Sequence, residues 1–120
     1  MTEFAPSNIK RMRWLRCDKE ETRLYRFSQP ILKDGSTHMR EHFPRQSQSQ
    51  LNEQGLRLIN KIIGQVGIAS VDAYCHEVYV TIYPIFEWSD GYHDFILQTI
   101  NWTLFDNGAD ILGPETPQVA

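Results

Sequence analysis

Cysteine is scarce in this chain. Cys17 and Cys75 are the only two, they lie far apart, and no CxxC or other closely spaced thiol pair occurs. Two lone thiols cannot supply a four-ligand zinc or iron–sulfur site within one chain, and a cluster shared between chains would also ask for closely spaced thiolates. No cofactor is therefore expected. Apolar runs are short, and none approaches the roughly 20 residues that span a bilayer, so no transmembrane helix is expected. The start, Met1-Thr-Glu-Phe-Ala-Pro, lacks a basic segment followed by an apolar stretch. With no secretory signal in view, an intracellular, cytoplasmic location is the expectation. Also missing is any nucleophile, base and orienting acid that converge in sequence, so an enzyme is not expected.

What is present fits one small domain. At 120 residues and 14.0 kDa, with 41% hydrophobic and 22% charged residues, the chain can bury a core without staples. Its charge is uneven. Residues 1–45 hold ten Lys and Arg against six Asp and Glu, a net of +4, whereas the remainder holds two against nine, a net of −7. The densest basic group is Lys10, Arg11, Arg13 and Arg16, with Trp14 among them. Such a mixture suits phosphates and stacked bases. It equally suits a solvated strand edge, and Asp18, Glu20 and Glu21 follow at once to weaken a phosphate field.

The hydrophobic period organises the chain. Residues 11–17 alternate Met12, Trp14 and Arg16 against Arg13, Leu15 and Cys17, then Asp18-Lys-Glu-Glu interrupts before residues 22–27, which predicts a hairpin. Pro30 and Asp34-Gly35 mark turns, and residues 38–43 predict a short strand stopped by Pro44. The polar run Gln46-Ser-Gln-Ser-Gln50 reads as a loop with Ser47 or Ser49 as a helix cap. Across residues 51–63 the apolar side chains occupy roughly 160° of a helical wheel, and Gly64 closes that helix. Strands follow at about 68–74 and 78–83, joined tightly and therefore antiparallel, with Val71, Ala73, Val78, Val80 and Ile82 on one side. The period then lengthens to helical spacing over about 91–105, capped by Ser89 or Asp90 and ended at Asn107-Gly108. Tyr92, Phe95, Ile96, Thr99, Ile100 and Thr103 share its inner face, with Asp94, Gln98 and Asn101 opposite.

These elements predict an α+β domain over residues 10–107. A small antiparallel sheet of four or five strands carries two helices on one face, in the order β-β-(β)-α-β-β-α. Residues 1–9 and 108–120 are expected to be mobile ends.

The order of elements and the stretch Gly67-Ile-Ala-Ser-Val-Asp-Ala-Tyr-Cys-His-Glu-Val-Tyr-Val-Thr81 resemble the N-terminal domain of Nfu-type (NifU-like) proteins of iron–sulfur cluster assembly. That family has a glycine, an aliphatic residue, a Ser-Val pair, a short turn and an aliphatic strand ending Val-Thr there. Glu87-Trp88 before the last helix is similar to the family's Glu/Asp-Trp. The resemblance covers about residues 10–107, with specific matches in the second half. It departs at the first turn, Asp18-Lys-Glu-Glu, where the family has proline and asparagine. The cluster-carrying CxxC of complete Nfu proteins lies in a separate C-terminal domain, and no CxxC occurs here. The resemblance thus implies a fold and an interaction role in cluster assembly or delivery, with a protein partner, rather than cluster chemistry.

Several residues invite chemistry. His38 and His42 share one side of a segment but have no third ligand beside them, so two surface histidines are expected and no metal. Cys75-His76 would pair a nucleophile with a base, yet neighbours in a tight turn point apart and no orienting acid is identifiable. The exposed sheet face offers more. With Val78, Val80 and Ile82 inward, Tyr79, Thr81 and Tyr83 face outward together with Tyr74. They can pack across strands, dock a protein, or stack single-stranded nucleic acid. Phe86 and Trp88 would extend a protein-docking surface unless buried, and the acidic second half favours protein. The expected function is a non-catalytic protein-interaction domain using Tyr74, Tyr79, Tyr83, Phe86 and Trp88. The alternative is a single-stranded nucleic-acid-binding module using Arg11, Arg13, Trp14 and Arg16 with the tyrosine face.

Overall fold

The computed structural model describes residues 10–34 and 50–114, and the backbone of 39–42 and 115. Two antiparallel hairpins form the centre of one sheet. β1 (Arg11–Arg16) pairs with β2 (Thr22–Phe27), and β4 (Ile68–Tyr74) pairs with β5 (Glu77–Ile82). β2 and β5 join them side by side, with Tyr25 opposite Val78 and Leu24 opposite Tyr79. β3 (Met39–His42) extends the β4 edge, and β6 (Asp110–Glu115) lies parallel to β1 at the other, giving the order β3-β4-β5-β2-β1-β6.

Both helices cover one face, as the alternation of apolar residues requires. α1 (Glu53–Ile63) buries Leu58, Ile59 and Ile62, and α2 (Tyr92–Phe105) buries Tyr92, Ile96, Ile100, Leu104 and Phe105. They close over Met12, Trp14, Tyr25, Val71, Ala73, Val78, Val80 and Ile82 in one core. Residues 28–34 cross between the layers. Ile31 is fully buried, its N–H reaches the Cys75 carbonyl, and its own carbonyl accepts from Asn52. Asn52 then caps α1 by accepting from the Gly55 N–H at 2.8 Å.

The α+β class and the two helices on one face are as the sequence implies; Asn101, expected on the outer face of α2, is buried by the turn that follows the helix, and the ends of the elements differ in three places. The cap of α1 is Asn52, whereas Ser47 and Ser49 lie outside the described residues. Ser89 and Asp90 belong to a 3₁₀ turn over Trp88–Asp90, and Gly91 stands at the start of α2. The third difference is β6, which falls beyond the expected limit at residue 107 and makes the sheet mixed. Its run, Asp-Ile-Leu-Gly-Pro-Glu, holds few apolar residues and leaves Ile111 and Leu112 substantially exposed, so it carries no period of its own. Backbone pairing with the open edge of β1 makes it a strand.

Candidate functional site

Two surfaces emerge from this architecture. The first is the sheet face turned away from the helices. On it, Leu15 sits opposite Leu24, and Leu24 opposite Tyr79. Although no helix covers them, Leu15 and Leu24 are only 8% and 5% exposed, a buried pair separate from the main core. Tyr79 and Tyr74 meet edge to face with ring centroids 6.0 Å apart, an arrangement that the ring quadrupoles favour. Tyr74 remains 38% exposed. Thr22 and Thr81 share a hydrogen bond of 2.9 Å, and Arg26 binds Glu77 at 2.9 Å across the same strands. A groove of about 540 Å³ runs along Thr22, Ser70, Asp72, Tyr79 and Thr81. Burial first, then the nearby Glu77 carboxylate, pushes the Tyr79 hydroxyl up, so it stays neutral at physiological pH.

The expected protein-binding residues do not all share this face. Tyr83 is exposed one residue beyond β5. Phe86 packs edge-on against Tyr92, with centroids 5.7 Å apart. Trp88 is 7% exposed, and its indole N–H donates to the Glu20 carbonyl at 3.1 Å. Trp88 therefore closes the core and is no part of an open tyrosine surface. The basic group is likewise divided. Alternation places Arg11 and Arg13 with the tyrosines and sends Trp14 and Arg16 to the helix side, so the four form no continuous stacking track.

The second surface is the one that sequence reasoning missed. On the helix side of β1 and β2, Arg16 lies directly opposite Arg23. The Arg23 guanidinium sits 4.7 Å from the Trp14 ring centre and 5.1 Å from that of Trp88, and Arg16 lies 5.6 Å from Trp14. Arg23 also hydrogen-bonds Tyr25, whose hydroxyl lies 2.9 Å from His93 Nδ1. His93 in turn packs on Trp14, with centroids 4.1 Å apart. Burial keeps Tyr25 protonated, so its O–H donates to a neutral imidazole. The signal was the shared parity of Trp14, Arg16, Arg23 and Tyr25, which becomes a cluster only once Trp88 and His93 arrive from residues far along the chain.

Burial, reinforced by the adjacent Arg23, lowers His93 to about 4. An imidazolium there would add a third cation beside Arg16 and Arg23 and reverse the Tyr25 hydrogen bond. Because the folded value lies below the unfolded 6.5, the unfolded chain takes the proton first as pH falls. The contribution of His93 to stability is thus expected to be flat above pH 6.5 and to decline between about 6.5 and 4, by about 1–2 kcal/mol after allowance for partial exposure. Denaturant unfolding of the protein and of His93→Gln across this range checks it. The slope contributed by His93 should vanish in the variant.

The remaining sites behave differently. His76 Nδ1 lies 3.2 Å from the Phe27 carbonyl, so its ring is engaged with the backbone and forms no bond with the Cys75 thiol. Burial, then Asp18, raises the Cys17 thiol and keeps it un-ionised. His38 lies outside the described residues, and His42 ends β3. Among the described residues, no three His, Cys, Asp or Glu side chains are grouped to hold a metal ion, and no helix is long and apolar enough to cross a membrane.

The fold and these faces define a small α+β domain with a covered and an uncovered sheet face. No protein-family model matches the sequence, and no curated protein matches it. Among solved structures the chain is similar to the solution NMR structure of a NifU-like protein from Saccharomyces cerevisiae. The TM-score is 0.49 and the identity 14%, over 82% of this chain and 83% of that one. A likeness at that level carries no functional argument.

Proposed function

We propose that this is a non-catalytic interaction domain that docks a protein on the open sheet face, and that the partner belongs to iron–sulfur cluster assembly or delivery. The observation that carries the docking reading is the edge-to-face pair of exposed Tyr74 and half-buried Tyr79 beside the buried Leu15–Leu24 patch. Tyrosine on a firm apolar base presents a large area at small entropic cost, which is why it recurs at interface hot spots. The iron–sulfur context rests on the sequence resemblance over residues 67–81 and Glu87-Trp88.

Charge favours a protein over nucleic acid here. Arg26 is taken up by Glu77, and Asp72 shares the face, so cations do not dominate it. The test compares the protein with a Tyr74→Ala, Tyr79→Ala double variant in capture from nuclease-treated host lysate, followed by affinity measurement on the purified partner. A cluster-assembly or cluster-receiving protein should bind, tolerate high salt, and lose about thirtyfold or more in affinity with the double variant, the loss typical of a hot spot. Binding that disappears with nuclease, or falls steeply with salt and with removal of Arg11 and Arg13, would assign the face to nucleic acid instead.

A further inference from the structure

Arg16 and Arg23 pose an electrostatic problem that no acidic side chain among the described residues solves. Like charges directly opposite on paired strands repel. Among the described residues neither arginine forms an ion pair, and the compensation present is cation–π contact with Trp14 and Trp88 plus one hydrogen bond to a neutral tyrosine. Trp14, Trp88 and Tyr25 hold the Arg23 guanidinium in place, and the strand register sets the exposed Arg16 directly beside it.

Beside them opens a cleft of about 570 Å³, within the range of small-molecule sites. The β1–β2 turn forms one wall, with Arg16, Lys19 and Arg23. The segment following β5 forms the other, with Pro84, Phe86 and Trp88. The Trp88 hydrogen bond to the Glu20 carbonyl ties the two walls together. Carboxylates also line it. Glu87 is occupied by the Ser89 hydroxyl at 3.4 Å and by the backbone of its own 3₁₀ turn, whereas Glu20 and Glu21 are carried on the turn. These carboxylates disfavour a long polyanion, which would run along the acidic turn, more than a compact ligand with one oxyanion.

We propose that this cleft binds a small organic oxyanion, a phosphate monoester or a carboxylate, held between Arg16 and Arg23 with its apolar body against Phe86 and Trp88. Guanidinium pairs bind such groups through parallel, charge-assisted N–H donors. An oxyanion here neutralises the like-charge contact between Arg16 and Arg23. The two guanidinium groups lie on the helix side, and the cleft adjoins the groove of the docking face, with which it shares Lys19, Glu21, Thr22, Ile82 and Pro84.

The test titrates the isotopically labelled full chain with inorganic phosphate, adenosine monophosphate and benzoate, following the Trp88 indole N–H and the Arg16 and Arg23 Nε–H resonances. At least one probe should give saturable shifts and raise the thermal midpoint, since a ligand that binds only the folded state stabilises it. Arg16→Gln should weaken that binding about tenfold or more, the loss expected for a charged hydrogen-bond donor. It should not lower the midpoint without ligand, because it relieves repulsion; a merely structural arginine would lower it. Arg23→Lys keeps the charge but loses the planar stacking, and should weaken binding as well. Tighter binding of adenosine monophosphate than of benzoate assigns a phosphate, and the reverse assigns a carboxylate. Absence of saturable shifts with all three probes overturns the proposal. So does unchanged affinity in Arg16→Gln, or a single-stranded oligonucleotide that displaces adenosine monophosphate from the same resonances.

Discussion

Replacing Gly67 by alanine is expected to destabilise the domain by about 3–5 kcal/mol, a large share of the roughly 5–15 kcal/mol that holds such a domain folded. Two separate costs combine. Gly67 has φ of 101°, a backbone conformation that L residues avoid. A Cβ built on it would also overlap the Tyr92 hydroxyl and lie 2.6 Å from the ring carbon that carries it. Tyr92 is not at liberty to retreat. Its ring is buried, its hydroxyl donates to the Val66 carbonyl at 2.8 Å, and Phe86 packs against its face. Gly91 separates the two costs, since it has φ of 97° with nothing within 4 Å of a Cβ. Gly91→Ala should therefore show the backbone cost alone, about 1–2 kcal/mol. Thermal unfolding should place the Gly67 variant roughly 10–20 °C below the unaltered protein. Equal midpoints for the two variants would mean that Tyr92 yields without cost.

Asn101→Leu is the second change with a large expected effect, about 2–3 kcal/mol, and its effect should be local. Asn101 is the buried polar residue of α2, only 6% exposed. Its Oδ1 accepts from the Ala109 N–H at 2.9 Å, its Nδ2 donates to Asn107 Oδ1 at 3.2 Å, and its backbone carbonyl accepts from the Asn107 N–H. These bonds hold two successive left-handed residues, Asp106 at φ 50° and Asn107 at φ 64°, which turn the chain from α2 towards β6. Leucine leaves the Ala109 donor without its partner and releases the turn. Hydrogen exchange should then accelerate in β6 and leave β4 and β5 protected. Asn101→Asp keeps the acceptor for Ala109 and should fall between the two. Uniform acceleration across the sheet would show instead that Asn101 supports the whole core.

Asn101 also shows where a helical wheel stops informing. Its position opposite Ile96 and Ile100 puts it on the outer face by periodicity, and the residues that bury and bond it follow the helix. The same holds for β6, whose six residues have too little apolar character to announce a strand. By contrast, strand parity was legible at once. Val71, Ala73, Val78, Val80 and Ile82 alternate strictly and are all buried, because a one-residue slip would turn every one of them to water. Of the candidate sites, the tyrosine face followed from that parity, since Tyr74 and Tyr79 occupy the complementary positions. Trp88 did not, because it stands in a connecting segment where no period specifies direction, and its hydrogen bond to Glu20 spans 68 residues of chain.

By itself, then, the sequence determined the α+β class, both hairpins, both helices and the inner face of the sheet, since each depends on local period and turn chemistry. Tertiary structure alone decided the parallel sixth strand and the cluster of Trp14, Arg16, Arg23, Tyr25, Trp88 and His93. Those features join residues from opposite ends of the chain, and their geometry arises from which backbone edge is open and which side chains the helices bring over it.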